Sequence, residues 1–249
     1  MTKLSEKTPV YFGGIKKFGG LSASVLKLTA IAVMLIDHSA VVFVGTGMSV
    51  WRMIGRLGFP IFAFFIAEGA GRTKNIYKYM LRLAVFALVS ELPFDLALFG
   101  SWFDTGHQNV FFTLLLGLMA IWAYRMLGSV RLGWLSPLST LILAAGAYCL
   151  KTDYDAAGVI VIFLFYIVMR FPPLPRAFGI AAVCCLLLFR FYNGILYYNP
   201  SEEFAVFACI PLILYSGQKG FKLNKYFFYA FYPGHILILW LLSLIIGRN

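Results

Sequence analysis

Nine apolar runs, separated by short stretches that hold most of the charge, dominate this 249-residue chain. They lie at 26–44, 55–71, 79–98, 110–127, 135–150, 156–169, 177–192, 203–215 and 226–246. A membrane-crossing helix needs ~20 mostly apolar residues, and most of these runs approach that length. The chain is 61% hydrophobic and 12% charged, whereas soluble domains run roughly 45–50% and about 25%. Folded in water, such a chain would expose apolar patches that soluble monomers rarely tolerate. A soluble enzyme, a disordered chain and a disulfide-stapled secreted module are thereby excluded. The fold expected is all-α: a polytopic membrane bundle of about nine transmembrane helices. The runs at 156–169 and 203–215 are short for a crossing.

Loop charges orient the bundle. With the N-terminus inside, the cytoplasmic segments carry Lys3, Lys7, Lys16, Lys17 and Lys27, then Arg72, Lys74, Lys78 and Arg82. They continue with Arg125, Arg131, Arg170, Arg176, Lys219, Lys222 and Lys225. Only Arg52, Arg56, Lys151, Arg190 and Arg248 of the 21 basic residues fall outside, beside Asp104, Asp153, Asp155, Glu202 and Glu203. Basic loops on one side imply an N-in, C-out topology. The formal charge of +11 therefore reports topology and does not call for a nucleic-acid partner. Residues 1–25 read as a basic, Gly-rich cytoplasmic arm without the apolar core of a cleavable signal, and 26–249 as one multi-span domain. No internal repeat is visible, and an odd span count departs from the two-halves plan of many transporters.

An ionisable group at membrane depth costs at least ~2.5–3.5 kcal/mol on insertion scales, so each is a candidate functional residue. Asp37, His38, Arg56, Glu68, Glu91, Asp95 and His235 qualify. At about 1.5 Å of rise per residue, His38 lies about 16 Å beyond Lys27, His235 about 15 Å beyond Lys225, and Glu91 about 14 Å beyond Arg82. Three titratable groups on three helices thus reach one layer near the middle of a ~30 Å core.

Each also has a plain structural reading. A lone histidine can bond a neighbouring helix, and Tyr232-Pro233 marks a kink that would want a polar partner at His235. Asp37 and His38 diverge by ~100° on one helix, so Asp37 is expected to pair with another helix, with Arg56 as one partner. Glu91 precedes Leu92-Pro93, where a kink frees a carbonyl, and Glu68 stands one turn before Arg72 as a local counter-ion. Arg52 near a helix end is expected to snorkel. The four cysteines (Cys149, Cys184, Cys185 and Cys209) lie in apolar runs with no CxxC spacing and read as packing residues. No Walker loop, GxGxxG or HExxH occurs, and no close ligand spacing supports a metal.

Several motifs together carry a family resemblance. They are Leu26-Lys27-Leu28 leading to Met34-Leu35-Ile36-Asp37-His38, and Arg52-Met53-Ile54-Gly55-Arg56-Leu57-Gly58-Phe59-Pro60 followed by Ala67-Glu68-Gly69. Ser90-Glu91-Leu92-Pro93-Phe94-Asp95, Asn109-Val110-Phe111-Phe112-Thr113-Leu114 and the closing Phe231-Tyr232-Pro233-Gly234-His235 complete the set. In these the chain resembles the TraX family over most of 26–246, densely in the first half and thinly from the fifth to the eighth run.

The resemblance implies a bacterial multi-pass acetyltransferase of the inner membrane, a family linked to acetylation of conjugative pilin at its N-terminus. It further implies kinship with transmembrane acyltransferases that use cytoplasmic acetyl-CoA and carry a basic residue about eleven positions before a catalytic histidine. Lys27 and His38 have that spacing, with Lys in place of the more usual Arg.

On this reading the basic inner rim of Lys27, Arg72, Lys74, Arg82, Lys222 and Lys225 would hold the phosphates of acetyl-CoA, the one co-substrate expected. His38 would act as base. Asp37, Glu91 or Asp95 would orient its ring, and His235 or Arg56 would stabilise the oxyanion, with Asn109 beside the substrate. The acceptor is open among a pilin-like amine, a glycan and a lipid head group, and direct transfer and an acetyl-histidine intermediate both fit. A proton-coupled transporter or flippase using the same buried charges, and an assembly factor with no chemistry, are the rival readings.

Overall fold

The computed structural model describes residues 20–45, 47, 49–129, 133–192, 195–198, 200–222 and 224–247. The N-terminal arm before residue 20, Arg131 and Arg248 lie outside the described residues, as do the side chains of Arg190 and Lys225. The helices are α1 (Ala23–Phe43), α2 (Val50–Gly55), α3 (Gly58–Arg72), α4 (Ile76–Phe99), α5 (Val110–Leu127), α6 (Ser136–Cys149), α7 (Asp155–Val168) and α8 (Pro173–Leu186). A hairpin of β1 (Phe189–Tyr192) and β2 (Ile195–Tyr198) follows, then a 3-10 segment (Pro200–Ala208), α9 (Cys209–Ile213) and α10 (Lys225–Ile246).

Short polar side chains start five of the helices, α1, α2, α4, α5 and α10, each replacing a missing partner for an early backbone N–H. Ser22 accepts from Val25 N, Ser49 from Arg52 N, Asn75 from Lys78 N, Asn109 from Phe111 N and Asn224 from Tyr226 N. Gly100 and Gly247 end α4 and α10 at φ 64 and 73, a left-handed turn that costs glycine nothing. Both helices carry an internal proline, Pro93 and Pro233, and the two pack side by side.

The helices α1, α5 and α10, and α2 with α3 as one unit, are each long and apolar enough to cross a membrane. With α6 to α8 also strongly apolar, this is a membrane protein. Helix α4 has 24 residues and is long enough, yet it holds Lys78, Arg82, Glu91 and Asp95. Helices α6, α7 and α8 have 14 residues each, about 21 Å of rise, short of a ~30 Å core. One apolar cluster runs through the bundle from Ala23 to Ile236 and includes Phe64, Leu118, Ile162 and Phe165. Close helix approach depends on small residues there: a Cβ at Gly117 would collide with Ile162, and one at Gly158 with Thr113.

The loops gather at two opposite ends. At one, Leu21 bridges to Tyr215, Ala23 N donates to Gln218 O, Arg72 to Gly217 O and Arg125 to Ala70 O. At the other, Gln108 bridges to Thr152 and Asp153 N donates to Gln108 O.

One element departs from the all-α expectation, and two further runs depart from a single regular helix. The run at 177–192 ends as strand, with Phe189 facing Tyr198 and Tyr192 facing Ile195 across an antiparallel pair. Asn193-Gly194 lies there between two mostly aromatic and aliphatic stretches, and Asn-Gly favours a two-residue hairpin turn. The run at 203–215 is 3-10 helix followed by only five α-helical residues, so it is no regular crossing. The run at 55–71 is also interrupted, because Arg56 and Leu57 separate α2 from α3.

Candidate functional site

The two mid-bundle histidines meet. His38 projects from α1 and His235 from α10, with His38 Nδ1 2.7 Å from His235 Nε2. The ring centroids are 5.0 Å apart and the planes tilted by 22°, so the bonded nitrogens lie between the centroids and the contact is edge to edge. His235 Nδ1 lies 2.7 Å from the Phe231 carbonyl oxygen, in the turn where Pro233 supplies no backbone N–H. Phe231 stacks on the His235 ring at 4.8 Å, and Tyr232 stands edge-on to His38 at 5.7 Å.

Two adjacent cavities lie nearby, and His38 lines the second of them. The first, about 220 Å³, has Lys27 in its wall among Phe65, Tyr79, Phe228 and Tyr229. The second, about 210 Å³, is lined by His38, Asp37, Arg52, Arg56, Asp153 and Tyr154. Met34, Phe62, Val110 and Tyr232 border both and form a thin partition. Singly each is below the ~300–1,000 Å³ of small-molecule pockets; joined, they fall inside that range.

Ion pairs build the polar wall of the second cavity. Arg52 Nη1 donates to Asp37 Oδ2 at 2.9 Å, and Arg56 Nη1 to Glu202 Oε1 at 3.1 Å. The partner of Asp37 is thus Arg52, one helical turn before the expected Arg56, and Arg52 does not snorkel away. Asp37 Oδ1 is buried with no hydrogen bond among the described residues. Gly55 admits this arrangement, since a Cβ there would fall on the Asp37 side chain. Glu202, only 1% exposed, stands in the 3-10 segment and carried no sequence signal, because an acid after Asn199-Pro200 reads as an outer loop. Tyr154 stacks on Phe59 and faces the same cavity; its aromatic character alone did not distinguish it from core.

The remaining acids lie elsewhere. Glu91 accepts both from the side chain of Asn109 and from its backbone N–H, and Asn109 Nδ2 also donates to Ala87 O at 2.8 Å. Asp95, 0% exposed, accepts from Asp104 N at 2.9 Å. None of these three residues is hydrogen-bonded to either histidine. Asn109 caps α5 and ties it to α4, so its geometry is that of a helix start.

The basic residues divide by depth. Lys27 Nζ sits 4.8 Å from the Phe65 ring and 5.6 Å from Phe228. Arg82 packs over Tyr79 and Tyr229 at 5.5 and 6.0 Å, two rings of the first cavity. Arg72 bonds Glu68 at 3.1 Å and Gly217 O at 3.1 Å, and Tyr215 donates to the same Glu68 carboxylate. Lys74 and Lys222 are exposed. The side chain of Lys225 is outside the described residues. Among the described residues no group of three His, Cys, Asp or Glu is placed to hold a metal.

No solved structure matches the chain. A curated relative, the "Probable fimbrial assembly protein FimC, serogroup H1" of Dichelobacter nodosus, is 31% identical over 249 aligned positions, covering 88% of this chain and 94% of that one. The TraX protein family model matches residues 22–243. That match takes in both histidines, both cavities and the polar wall, and by it the chain belongs to the TraX family.

Proposed function

We propose that the protein is a membrane-embedded acetyltransferase that moves an acetyl group from cytoplasmic acetyl-CoA to an amine or hydroxyl acceptor. One observation carries this reading: His38, bonded to His235, lines a cavity walled by paired charges, and only Met34, Phe62, Val110 and Tyr232 part that cavity from a second one with a lysine in its wall. A long, thin, largely apolar pantetheine arm suits the first cavity, whose walls are aromatic and aliphatic apart from Lys27, with Arg82 packed over its Tyr79 and Tyr229 rings. In it the thioester would lie across the partition from His38. The acceptor would enter the second cavity, where His38 takes the proton as the nucleophile attacks. One C–N or C–O bond forms, the C–S bond breaks, and the proton ends on the departing CoA thiol. Direct transfer needs the partition side chains to move apart; an acetyl-histidine intermediate would need the same movement.

The bundle would lie in the bacterial inner membrane with the N-terminus inside and the C-terminus outside, the Lys27 end facing the cytoplasm. The 3-10 segment with α9 then returns the chain across part of the bilayer within a protein-lined site, where irregular backbone is tolerated. The relative's fimbrial assembly role favours a pilin-like amine as acceptor; a glycan or a lipid head group is chemically equivalent for the base.

The same two cavities also favour a second reading, a transporter with alternating access to the charged layer. Purified protein in lipid nanodiscs, given acetyl-CoA with and without acceptor, tests both. Acceptor-dependent release of free CoA and an acetylated product by mass spectrometry is the expected outcome. Solute flux in vesicles without CoA release would assign the transporter.

A further inference from the structure

The contact between the two imidazoles fixes where their protons sit. A carbonyl oxygen only accepts, so His235 Nδ1, 2.7 Å from Phe231 O, carries a hydrogen. His235 is 5% exposed, and among the described residues no carboxylate is hydrogen-bonded to either ring. An unpaired cation is costly in such a site, so the resting pair is neutral. A neutral ring with its hydrogen on Nδ1 has a bare Nε2. His235 Nε2 therefore accepts, and the nitrogen 2.7 Å away, His38 Nδ1, must donate. That leaves His38 Nε2 without a hydrogen. His38 lines the second cavity, and nothing among the described residues bonds its Nε2.

We propose that His235 is a positioning residue: anchored on the Phe231 carbonyl, it holds His38 with its hydrogen on Nδ1 and presents the Nε2 lone pair to the cavity as the base. This rests on the acetyltransferase reading for its consequence but on hydrogen-bond order alone for its premise. During transfer Nε2 takes the proton of the attacking N–H or O–H. The Nδ1 hydrogen can then shift towards His235 Nε2, so the positive charge spreads over two rings. The carbonyl anchor does for this pair what a carboxylate does in a serine-protease triad, where loss of the orienting group costs about 10⁴ in kcat because the ring takes the wrong tautomer. The role earlier considered for His235, an oxyanion donor, is incompatible with this order, since neither of its nitrogens has a hydrogen to spare for substrate.

The tautomer can be read without turnover. Full-length protein labelled with ¹⁵N-histidine in nanodiscs gives signals from only three residues, His38, His107 and His235, and H107Q assigns the outlying one. His38 is expected with its hydrogen on Nδ1. In His235→Leu the hydrogen should move to Nε2 and kcat should fall by about 10²–10⁴, with the KM for acetyl-CoA unchanged. In His235→Gln the amide oxygen can still accept from Nδ1, so tautomer and most activity should be retained. A hydrogen on His38 Nε2 in the wild type, or the same tautomer in His235→Leu, overturns the proposal. Should His235→Leu fail to fold, the wild-type and His235→Gln spectra still decide. Protein that shows the expected tautomer yet acetylates no acceptor keeps the bond order and removes the acetyltransferase reading.

Discussion

The Arg56 guanidinium meets the Glu202 carboxylate at 3.1 Å across 146 residues of sequence, with only 15% and 2% of the two side chains exposed. Removing one partner of a buried pair strands the other, at a cost of about 3–5 kcal/mol, whereas replacing both with apolar residues is often nearly neutral. Glu202→Ala should therefore lower the unfolding midpoint in detergent or nanodiscs markedly. Arg56→Met combined with Glu202→Leu should recover much of the loss. A double variant as unstable as the two singles added together would mean that the two residues act independently.

His38→Ala and His38→Gln should both lower kcat by about 10²–10⁴, the usual contribution of a general base, while acetyl-CoA binding stays close to wild type. The glutamine keeps size and hydrogen bonding but takes up no proton. The wild-type rate should rise with pH through one ionisation that the glutamine variant lacks. His107, stacked on Phe99 in the loop between α4 and α5, supplies the control, and His107→Gln should be fully active. Normal turnover by His38→Gln on a confirmed acceptor would remove His38 from the chemistry.

Charge at the inner rim should act on capture of the donor. Lys27→Met, at the wall of the first cavity, should raise the KM for acetyl-CoA with little change in kcat. Lys74, exposed, should contribute a smaller, salt-screened share. Arg72 is different, because its guanidinium ties Glu68 to the 215–217 segment, so Arg72→Gln should also cost stability. Equal KM values for acetyl-CoA in wild type and Lys27→Met at low salt would leave the lysine a topological marker only.

The topology is checked by reporters. A fusion after Asn249 should report the extracytoplasmic side, and one inserted within 219–222 the cytoplasm. Both sites on one side would mean that the 3-10 segment with α9 does not carry the chain back across the bilayer.

The helices were legible where twenty apolar residues follow one another, because length and hydropathy decide them. The layer shared by His38 and His235 was legible too, since a helix converts residue number into depth. What joined the layer was not. Glu91 has a comparable depth but turns to Asn109, and depth says nothing about which way a helix is rotated. The same rotation decides that Arg52, not Arg56, reaches Asp37. Glu202 illustrates a different gap: a loop-like acid enters the core only because an irregular 3-10 segment carries it there, and no periodicity announces such a path. The hairpin at 189–198 did have a signal, Asn193-Gly194, masked by the apolar run that precedes it.

His38 and His235 are 197 residues apart, and that distance sets an order of events during synthesis. Chains emerge N-terminus first, so α1 enters the bilayer with its histidine long before α10 exists. Until then Asp37 can find Arg52 from the adjoining helix, but His38 has no ring to lean on. The histidine pair becomes whole only when the ribosome has made nearly all of the matched region, and a chain stopped short of α10 is left with His38 lacking its partner ring.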